Sequence, residues 1–263
     1  MAMAAWKLAV GLACGCTVVL KTSEKTPLTG LHLAKLIHKA GFPAGVVNVI
    51  SGFGPTAGAA LSSHHDVDKI AFTGSVLTGK KIMQSAAVSN LKKVSLELGE
   101  KSPLIVLDDA DLNLAIKCGH IGVYLNQGQV CASSSRKKKS MTSLSRRFSP
   151  NGQLDQSRTD PDTTQGQQID DIQFFRVLDY IEHGKAAGAQ VKAGGDRHGN
   201  RGYFVKSTVF TNVTDDMTIA KEEIFGPVMS ILKFSTDEEV VERLCMVWLP
   251  VSAPPTPVAA FWA

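Results

Sequence analysis

Short apolar runs rich in β-branched residues alternate with amphipathic stretches along the first hundred residues of the chain. The apolar runs predict four strands, at residues 18–21, 46–50, 69–72 and 93–96. Between the first two, apolar residues recur at helical spacing over residues 28–40, with Pro27 suited to the first turn and Gly41 to the stop. Residues 54–63 and 75–89 predict two more helices. Strands that alternate with helices indicate a parallel sheet with helical crossovers, so this region predicts a Rossmann-like α/β fold.

The region after residue 100 continues this alternation. Residues 101–107 predict another strand, and Asp111 opens a helix that leads to the segment Asn126–Cys131. The acidic residues Asp108, Asp109 and Asp111 could form a metal site. We predict instead that they cap the helix and complement its dipole, because acidic residues are ordinary in the first turn of a helix. No metal is therefore expected.

The amino terminus is apolar from Met1 to Leu20, which is compatible with a signal sequence or with a helix inside a folded domain. Lys7 interrupts the run and no positive charge precedes it, so we predict a helix that leads into the first strand. No run reaches the length of a transmembrane helix, so no membrane association is expected. With 44% hydrophobic and 20% charged residues, the 263-residue chain can form one large or two ordinary domains.

Five cysteines, an odd number without a repeated spacing, favour free thiols in a reducing compartment. They are Cys14, Cys16, Cys118, Cys131 and Cys245. No Cys/His cluster has the spacing of a zinc site.

Cys131 and Glu97 together offer a nucleophile and a base. A thiolate attacks a carbonyl carbon readily, and a carboxylate can activate the water that releases the covalent product. Taken alone, each residue has a simpler interpretation, as a buried cysteine and as a solvated end of a strand.

Two glycine-containing turns follow predicted strands and are candidates for a nucleotide site. The turn at residues 52–58, which includes Gly54 and Gly58, departs from the GxGxxG pattern, and a simple strand-to-helix turn explains it equally well. After the third strand, Gly74 permits close approach of the backbone. Ser75 can cap the next helix, whose exposed amides could receive a pyrophosphate. A helix cap without a ligand is the alternative for Ser75.

Two segments resemble the best signatures of the aldehyde dehydrogenase superfamily. Residues 96–103 (Leu-Glu-Leu-Gly-Glu-Lys-Ser-Pro) resemble the run that carries the general base, and residues 126–131 (Asn-Gln-Gly-Gln-Val-Cys) resemble the run that carries the nucleophile. Four further segments resemble the family in the family's order, namely Thr17–Lys21, Gly41–Asn48, Phe72–Ser75 and Glu222–Pro227. On these six ordered motifs the chain is identified as a member of the superfamily, with a resemblance that covers residues 6–133 and 160–243.

The resemblance implies NAD(P)-dependent oxidation of a small-molecule aldehyde to a carboxylic acid, through a thiohemiacetal and a thioester on cysteine. Cys131 is then the nucleophile, and Glu97 is the base that activates water. The implied cofactor residues are Lys21 and Glu24 at the adenosine ribose, Gly54 and Gly58 in the adjoining turn, Gly74, Ser75 and Gly79 at the phosphates, and Glu223 with Phe225 at the nicotinamide ribose. Because a carboxylate repels an added phosphate, Glu24 favours NAD over NADP. A solvated Lys21 and a surface Glu223 are the alternatives for those residues.

By resemblance, the chain divides into an NAD-binding domain, residues 1–99, and an α/β catalytic domain, residues 100–263, both expected to be partial. Two segments of the second domain, 134–158 and 244–263, depart from the family pattern. The first holds seven basic residues and one acidic residue, whereas the whole chain has a net charge of +4. The basic balance therefore comes from one segment, and no nucleic-acid partner is expected.

Other departures from the family pattern concern catalysis. Glu100 replaces the second glycine of the family's Gly-Gly pair, and the motif that gives an asparagine to the oxyanion is not found. Losing one such donor typically costs about 10²- to 10³-fold in rate, so we expect little or no turnover from this chain.

The resemblance also bears on the extent and location of the chain. We expect the family's amino-terminal portion, the completion of its substrate tunnel and its oligomerisation arm to be missing. Two alternatives to an enzyme are a non-catalytic NAD- or partner-binding remnant and a mis-assembled gene model. The expected compartment is the cytoplasm, with the mitochondrion left open.

Overall fold

The fold, given by a computed structural model, is described for residues 1–131, 134–138 and 163–248. The chain divides into two units, Met1–Gly99 and Glu100–Ala263. Each unit combines helices with parallel strands, so the predicted α/β fold class is confirmed.

The first unit is described throughout and contains four short strands. Its helices are α1 (Ala2–Ala13), α2 (Pro27–Lys39), α3 (Ala59–Ser63) and α4 (Val76–Val88), and its strands are β1 (Val18–Thr22), β2 (Val47–Ser51), β3 (Lys69–Thr73) and β4 (Lys93–Glu97). A π-helical turn, Gly54–Gly58, leads into α3. The four predicted strands are confirmed. Their hydrogen bonds form two parallel pairs, β1 with β2 and β3 with β4, rather than one four-stranded ladder.

Individual residues explain where the helices of the first unit begin and how they pack. Pro27 stands at the start of α2, where its missing N–H costs no helical hydrogen bond. Ser75 caps α4, because its side chain accepts a hydrogen bond from the backbone N–H of Thr78. Gly30 lets α2 approach β1 closely, since a Cβ there would lie 2.3 Å from Cγ2 of Thr22. The predicted amino-terminal helix is confirmed as α1.

The apolar core of the first unit is small. Leu8 and Ala86 are its fully buried apolar residues. Leu28, Val88 and Leu91 are 78%, 86% and 80% exposed, respectively. Large apolar side chains on α2, at the end of α4 and in the turn after α4 are therefore exposed.

The second unit is built on a five-stranded sheet. Its strands are β5 (Ser102–Val106), β6 (Ser134–Lys138), β7 (Gln190–Ala193), β8 (Thr208–Thr211) and β9 (Val228–Lys233), and its helices are α5 (Leu112–Tyr124), α6 (Asp171–Ala186), α7 (Thr218–Lys221) and α8 (Asp237–Trp248). The strand order is β5-β6-β9-β8-β7, with every neighbour parallel except the antiparallel pair β7 and β8. None of the described helices is long and apolar enough to cross a membrane.

Two apolar clusters cover opposite faces of this sheet. Val209 and Phe210 are neighbours on β8, yet they belong to different clusters, because successive side chains of a strand point to opposite faces. The Phe210 cluster includes Phe174, Val177, Tyr180 and Ile181 of α6. The Val209 cluster includes Val123 and Tyr124 of α5 with Met229 and Ile231 of β9. Burial on both faces is typical of a parallel sheet between two helical layers.

Strand β6 was not predicted from the sequence. Ser134–Lys138 is polar and lies in the segment where the family pattern was expected to fail. The backbone nevertheless pairs with β5 on one side and β9 on the other. Pairing with two neighbouring strands supplies both sets of backbone hydrogen bonds, which outweighs a weak local preference. The remaining departures from the family pattern, at residues 139–158 and 249–263, lie outside the described residues.

Candidate functional site

The segment that leads to Cys131 has an uncommon backbone conformation. Asp111 caps α5 as predicted, accepting hydrogen bonds from the N–H groups of Asn113 and Leu114. After α5 ends, Asn126, Gln127 and Gly128 have φ values of 50°, 58° and 72°. Three consecutive left-handed residues, two of them with side chains, are unfavourable unless the surroundings hold them. We call residues 125–129 the left-handed turn.

Gly128 places the left-handed turn directly against the segment at residues 222–227. A Cβ on Gly128 would lie 2.1 Å from the carbonyl oxygen of Gly226 and 2.7 Å from the nitrogen of Pro227. Only glycine allows this approach, because those atoms belong to the backbone and cannot move aside. Cys131 follows three residues later as a half-buried free thiol.

The segment at residues 222–227 is itself held by α6. Phe225 has a φ of 56°, which is rare for a bulky residue. Gln173 Nε2 donates to the carbonyl oxygens of Ile224 and Phe225, at 3.1 and 2.8 Å. Arg176 Nη2 donates to the carbonyl oxygen of Glu223 at 3.3 Å. Sequence analysis missed Gln173 and Arg176, because a helical Gln or Arg carries no signal of its own.

The carboxylate of Glu223 lies among charged neighbours. Burial raises the pKa of Glu223, and the positive charges of Arg176 and Lys101 oppose that rise. The backbone N–H of Glu100 also donates to this carboxylate, while the Glu100 side chain adds a like charge.

Lys101, one of these neighbours, has a shifted pKa of its own. Burial lowers the pKa of Lys101 to about 8, and the carboxylates of Glu223 and Glu222 oppose that fall. The second unit therefore brings Glu223, Phe225 and the turn before Cys131 close to one another.

In the first unit, Lys21 lies at the carboxyl ends of β1 and β2. Its Nζ donates to the carbonyl oxygens of Thr22 and Gly52, at 2.8 and 2.7 Å. The stem of Lys21 passes Gly58, where a Cβ would lie 3.6 Å from its Cε. Because an ammonium has three N–H donors, Lys21 can offer one more to a ligand. Glu24 follows on an exposed turn.

The predicted phosphate site lies at the start of α4. Ser75 Oγ accepts from Thr78 N at 3.3 Å, which confirms the predicted cap. A Cβ on Gly74 would lie 2.6 Å from the Phe72 ring, so the glycine is required for close approach. Gly79, one turn into α4, packs against Leu98, where a Cβ would lie 2.8 Å from Cδ2 of Leu98. Gly54 is exposed in the π-helical turn, away from these contacts.

Glu97 ends β4 beside Thr73, the last residue of β3. The backbone N–H of Gly74 donates to the carbonyl oxygen of Glu97 at 3.0 Å. Lys7 of α1 donates from Nζ to Thr73 Oγ1 at 2.7 Å. Burial lowers the pKa of Lys7, and the negative charge of Glu97 opposes that change. Sequence analysis treated Lys7 only as an interruption of an apolar run, although a lone lysine in an apolar helix signals a buried partner.

Known proteins are similar to this chain over more than nine tenths of its length. The profile of the Aldehyde dehydrogenase family matches residues 1–244. An aldehyde dehydrogenase of Emericella nidulans is 55% identical over 245 residues, which cover 91% of this chain and 49% of that protein. Aldehyde dehydrogenase 1A1 of Homo sapiens is 51% identical over 259 residues, which cover 96% of this chain and 52% of that protein. The chain spans about half the length of the curated relatives it matches.

Solved structures agree with the sequence relatives. The NAD+ complex of an aldehyde dehydrogenase from Bacillus cereus superposes with a TM-score of 0.87 at 50% identity, covering 92% of this chain and 50% of that one. An indole-3-acetaldehyde dehydrogenase bound to NAD+ superposes with the same TM-score of 0.87 at 42% identity, covering 92% of this chain and 51% of that one. The Rossmann-like character expected for the first unit is shared with these relatives.

Proposed function

Because the chain belongs to the aldehyde dehydrogenase family, we propose that it carries the cofactor residues and the nucleophile for NAD-dependent oxidation of an aldehyde to a carboxylic acid. The observation that supports this most is the half-buried thiol of Cys131, which follows a left-handed turn packed against the Phe225–Pro227 segment. Backbone strain of this kind is found at functional sites, where it fixes reacting groups. Residues 1–99 would form the NAD-binding domain and residues 100–263 the catalytic domain.

In the proposed reaction, the Cys131 thiolate adds to the aldehyde carbon and forms a C–S bond, and the carbonyl oxygen becomes an alkoxide. Backbone N–H groups near Cys131 would stabilise that alkoxide. NAD, when bound, supplies the acceptor for the hydride whose loss leaves a thioester on Cys131. The Glu97 carboxylate would then take a proton from water, and the resulting hydroxide attacks the thioester carbon. The C–S bond breaks, which releases the carboxylic acid and leaves Cys131 as the thiolate.

The residues of the first unit fit a dinucleotide. The start of α4 presents a capped, exposed end with positive dipole charge, to which a pyrophosphate would bind beside Gly74, Ser75 and Gly79. Lys21 retains a donor for a ribose hydroxyl, and Glu24 would accept from one. An added 2′-phosphate would meet the charge of Glu24, which favours NAD over NADP. Gly54 and Gly58 would shape the adjoining turn.

The residues of the second unit that would hold the other end of the cofactor are Glu223 and Phe225. The Arg176 and Lys101 charges favour the ionised form of Glu223, which is the form that accepts from ribose hydroxyls. Gln173 holds the backbone of Phe225, and the Phe225 ring would pack beside the nicotinamide ribose.

A spectrophotometric assay of NADH formation tests the proposal. The full chain would be incubated with NAD and acetaldehyde, propanal or benzaldehyde, and compared with Cys131→Ser and with Cys118→Ser, which alters an exposed thiol on α5. We expect any turnover to be abolished by Cys131→Ser and unchanged by Cys118→Ser. Turnover that persists in Cys131→Ser would overturn the proposal. NAD binding without turnover would favour the alternative, a cofactor-binding remnant.

A further inference from the structure

Two buried glutamines connect the left-handed turn to a segment forty residues later in the chain. Gln165 is 4% exposed, and its Nε2 donates to the carbonyl oxygen of Tyr124 at 2.8 Å. Gln168 is 1% exposed, and its Nε2 donates to the carbonyl oxygen of Gln127 at 3.3 Å. We call Gln165 and Gln168 the glutamine clamp.

Hydrogen bonds in the opposite direction complete the connection. The backbone N–H of Ile169 donates to Gln129 Oε1 at 3.1 Å. The Gln127 side chain, with its amide oriented to satisfy both neighbours, accepts from the backbone N–H of Gly166 at 2.9 Å. The left-handed turn and residues 165–169 thus exchange hydrogen bonds in both directions, which fixes the register of the turn against that segment.

The glutamine clamp acts where the turn most needs support. Tyr124 is the last residue of α5, and its carbonyl oxygen accepts from Gln165 at the point where that helix ends. Asn126 and Gln127 adopt left-handed conformations that side chains disfavour. Gln165 satisfies the carbonyl just before these residues, and Gln168 satisfies the carbonyl of the second. Without these bonds, the backbone between α5 and Cys131 could relax toward ordinary right-handed conformations.

We propose that Gln165 and Gln168 are positioning residues, which hold the left-handed turn and thereby set the position of the Cys131 thiol. The proposal rests on the proposed function, in which that thiol is the nucleophile. The clamp acts through the backbone carbonyls of Tyr124 and Gln127 and does not touch the reacting atoms. Its effect should therefore appear in the reactivity of Cys131, even where no aldehyde or NAD is present.

Two substitutions at one position test this inference. Gln165→Leu keeps a similar volume but removes the donor to Tyr124. Gln165→Glu keeps the shape, and its donor depends on pH: the protonated carboxyl retains one O–H, while the carboxylate has none. Burial raises the pKa of a carboxyl group, so the protonated form that carries this donor is more populated at pH 5 than at pH 8. Gln190→Leu, at an exposed glutamine that begins β7, is the matched control.

The measurement is the rate at which Cys131 reacts with 2,2′-dithiodipyridine at pH 5 and pH 8, mapped by mass spectrometry and divided by the rate at Cys118. Both thiols lie in the same chain, and Cys118 is exposed on α5, so the ratio cancels differences in reagent concentration between samples. We expect Gln165→Leu to lower the ratio at least fivefold at both pH values. Gln165→Glu should lower the ratio similarly at pH 8. At pH 5 the ratio of this variant should lie within twofold of that of the unaltered chain. Gln190→Leu should leave it unchanged.

A ratio within twofold of the unaltered chain in Gln165→Leu would overturn the inference, as would a Gln165→Glu ratio that does not depend on pH. If Gln165→Leu fails to fold, the pH dependence of Gln165→Glu alone decides. The two proposals fail separately. If the chain forms no NADH yet shows this pattern, the positioning role of the glutamine clamp stands and the proposed function fails. If turnover depends on Cys131 but the pattern is absent, the proposed function stands and the positioning role fails.

Discussion

Gln173 Nε2 donates a 2.8 Å hydrogen bond to the carbonyl oxygen of Phe225, whose φ of 56° lies in the left-handed region. The same nitrogen reaches the carbonyl oxygen of Ile224. One side chain of α6 thus stabilises two successive peptide groups in a conformation that the phenylalanine would not adopt alone. The backbone conformation of Phe225 is held by a residue that is 52 positions earlier in the chain.

We therefore predict that Gln173→Leu destabilises the second unit. Two partly buried carbonyls would lose their donor, which should cost about 1–3 kcal/mol of the free energy of unfolding. Urea unfolding followed by circular dichroism measures the loss. Gln190→Leu, at an exposed position, should change the same quantity by less than about 0.5 kcal/mol. Equal, small effects in both variants would show that Phe225 does not need Gln173.

The contact of Gly128 with Gly226 gives a second prediction, with a control inside the chain. Gly128 and Gly188 both have positive φ values, 72° and 91°. A Cβ on Gly188 would meet nothing within 4 Å, whereas one on Gly128 would overlap the Gly226 backbone. Gly188→Ala should therefore cost only the conformational penalty, about 1–2 kcal/mol.

Gly128→Ala should cost that penalty and an overpacking cost of about 1–3 kcal/mol more. It should also displace the left-handed turn, so the alkylation rate of Cys131 should change in Gly128→Ala and not in Gly188→Ala. Thermal unfolding and mass-spectrometric mapping of alkylated cysteines provide the two measurements. Equal losses of stability in the two variants would contradict the backbone contact.

Sequence analysis located elements best where the determinants are local. The four strands of the first unit were predicted to within about a residue, because apolar β-branched runs are bounded there by turn residues. Pro27, Ser75 and Asp111 marked helix starts correctly, since each acts locally. Pro27 acts through its own backbone, and Ser75 and Asp111 accept from N–H groups two or three residues away.

What the sequence did not predict depends on contacts between distant residues. Strand β6 is polar and becomes a strand through its two neighbours in the sheet. Each of the clamp residues, Gln165 and Gln168, is 41 positions from the carbonyl that it binds. No local sequence pattern of glutamine predicts such a contact. The division of the four-strand ladder into two pairs likewise depends on tertiary geometry, which local periodicity does not encode.

Lys101 provides a prediction on pH. Burial lowers its pKa from the ordinary value of 10.5 to about 8 in the folded chain. Below pH 8 the lysine is protonated in both states, so the penalty of its burial is fully present. Between pH 8 and 10.5 the unfolded chain binds more protons than the folded chain, and the contribution of Lys101 to stability rises with pH.

The measurement is the difference in Tm between the unaltered chain and Lys101→Met across that window. The Tm of the unaltered chain should rise relative to that of Lys101→Met as the pH increases from 8 to 10.5. The other titrating groups are common to both chains, so their effects cancel in the difference. Lys117→Met, at an exposed lysine of α5, should give a difference that does not vary with pH. A flat difference for Lys101→Met would mean that Lys101 keeps its ordinary pKa.

Ser75 allows the helix cap to be separated from the proposed phosphate site. Ser75→Ala removes the acceptor for the N–H of Thr78 and should cost about 0.5–2 kcal/mol of stability. Ser75→Asp keeps an acceptor, and its charge suits the positive end of α4, so the free energy of unfolding should stay close to that of the unaltered chain.

The negative charge of Ser75→Asp would repel a pyrophosphate at the start of α4, so the Kd for NAD should rise at least tenfold. Gln84→Glu, at an exposed position further along α4, adds a negative charge away from that end and should leave the Kd unchanged. Calorimetric titration with NAD and thermal unfolding of all three variants separate the roles: a Ser75→Asp chain that binds NAD as tightly as the unaltered chain would leave Ser75 as a helix cap alone.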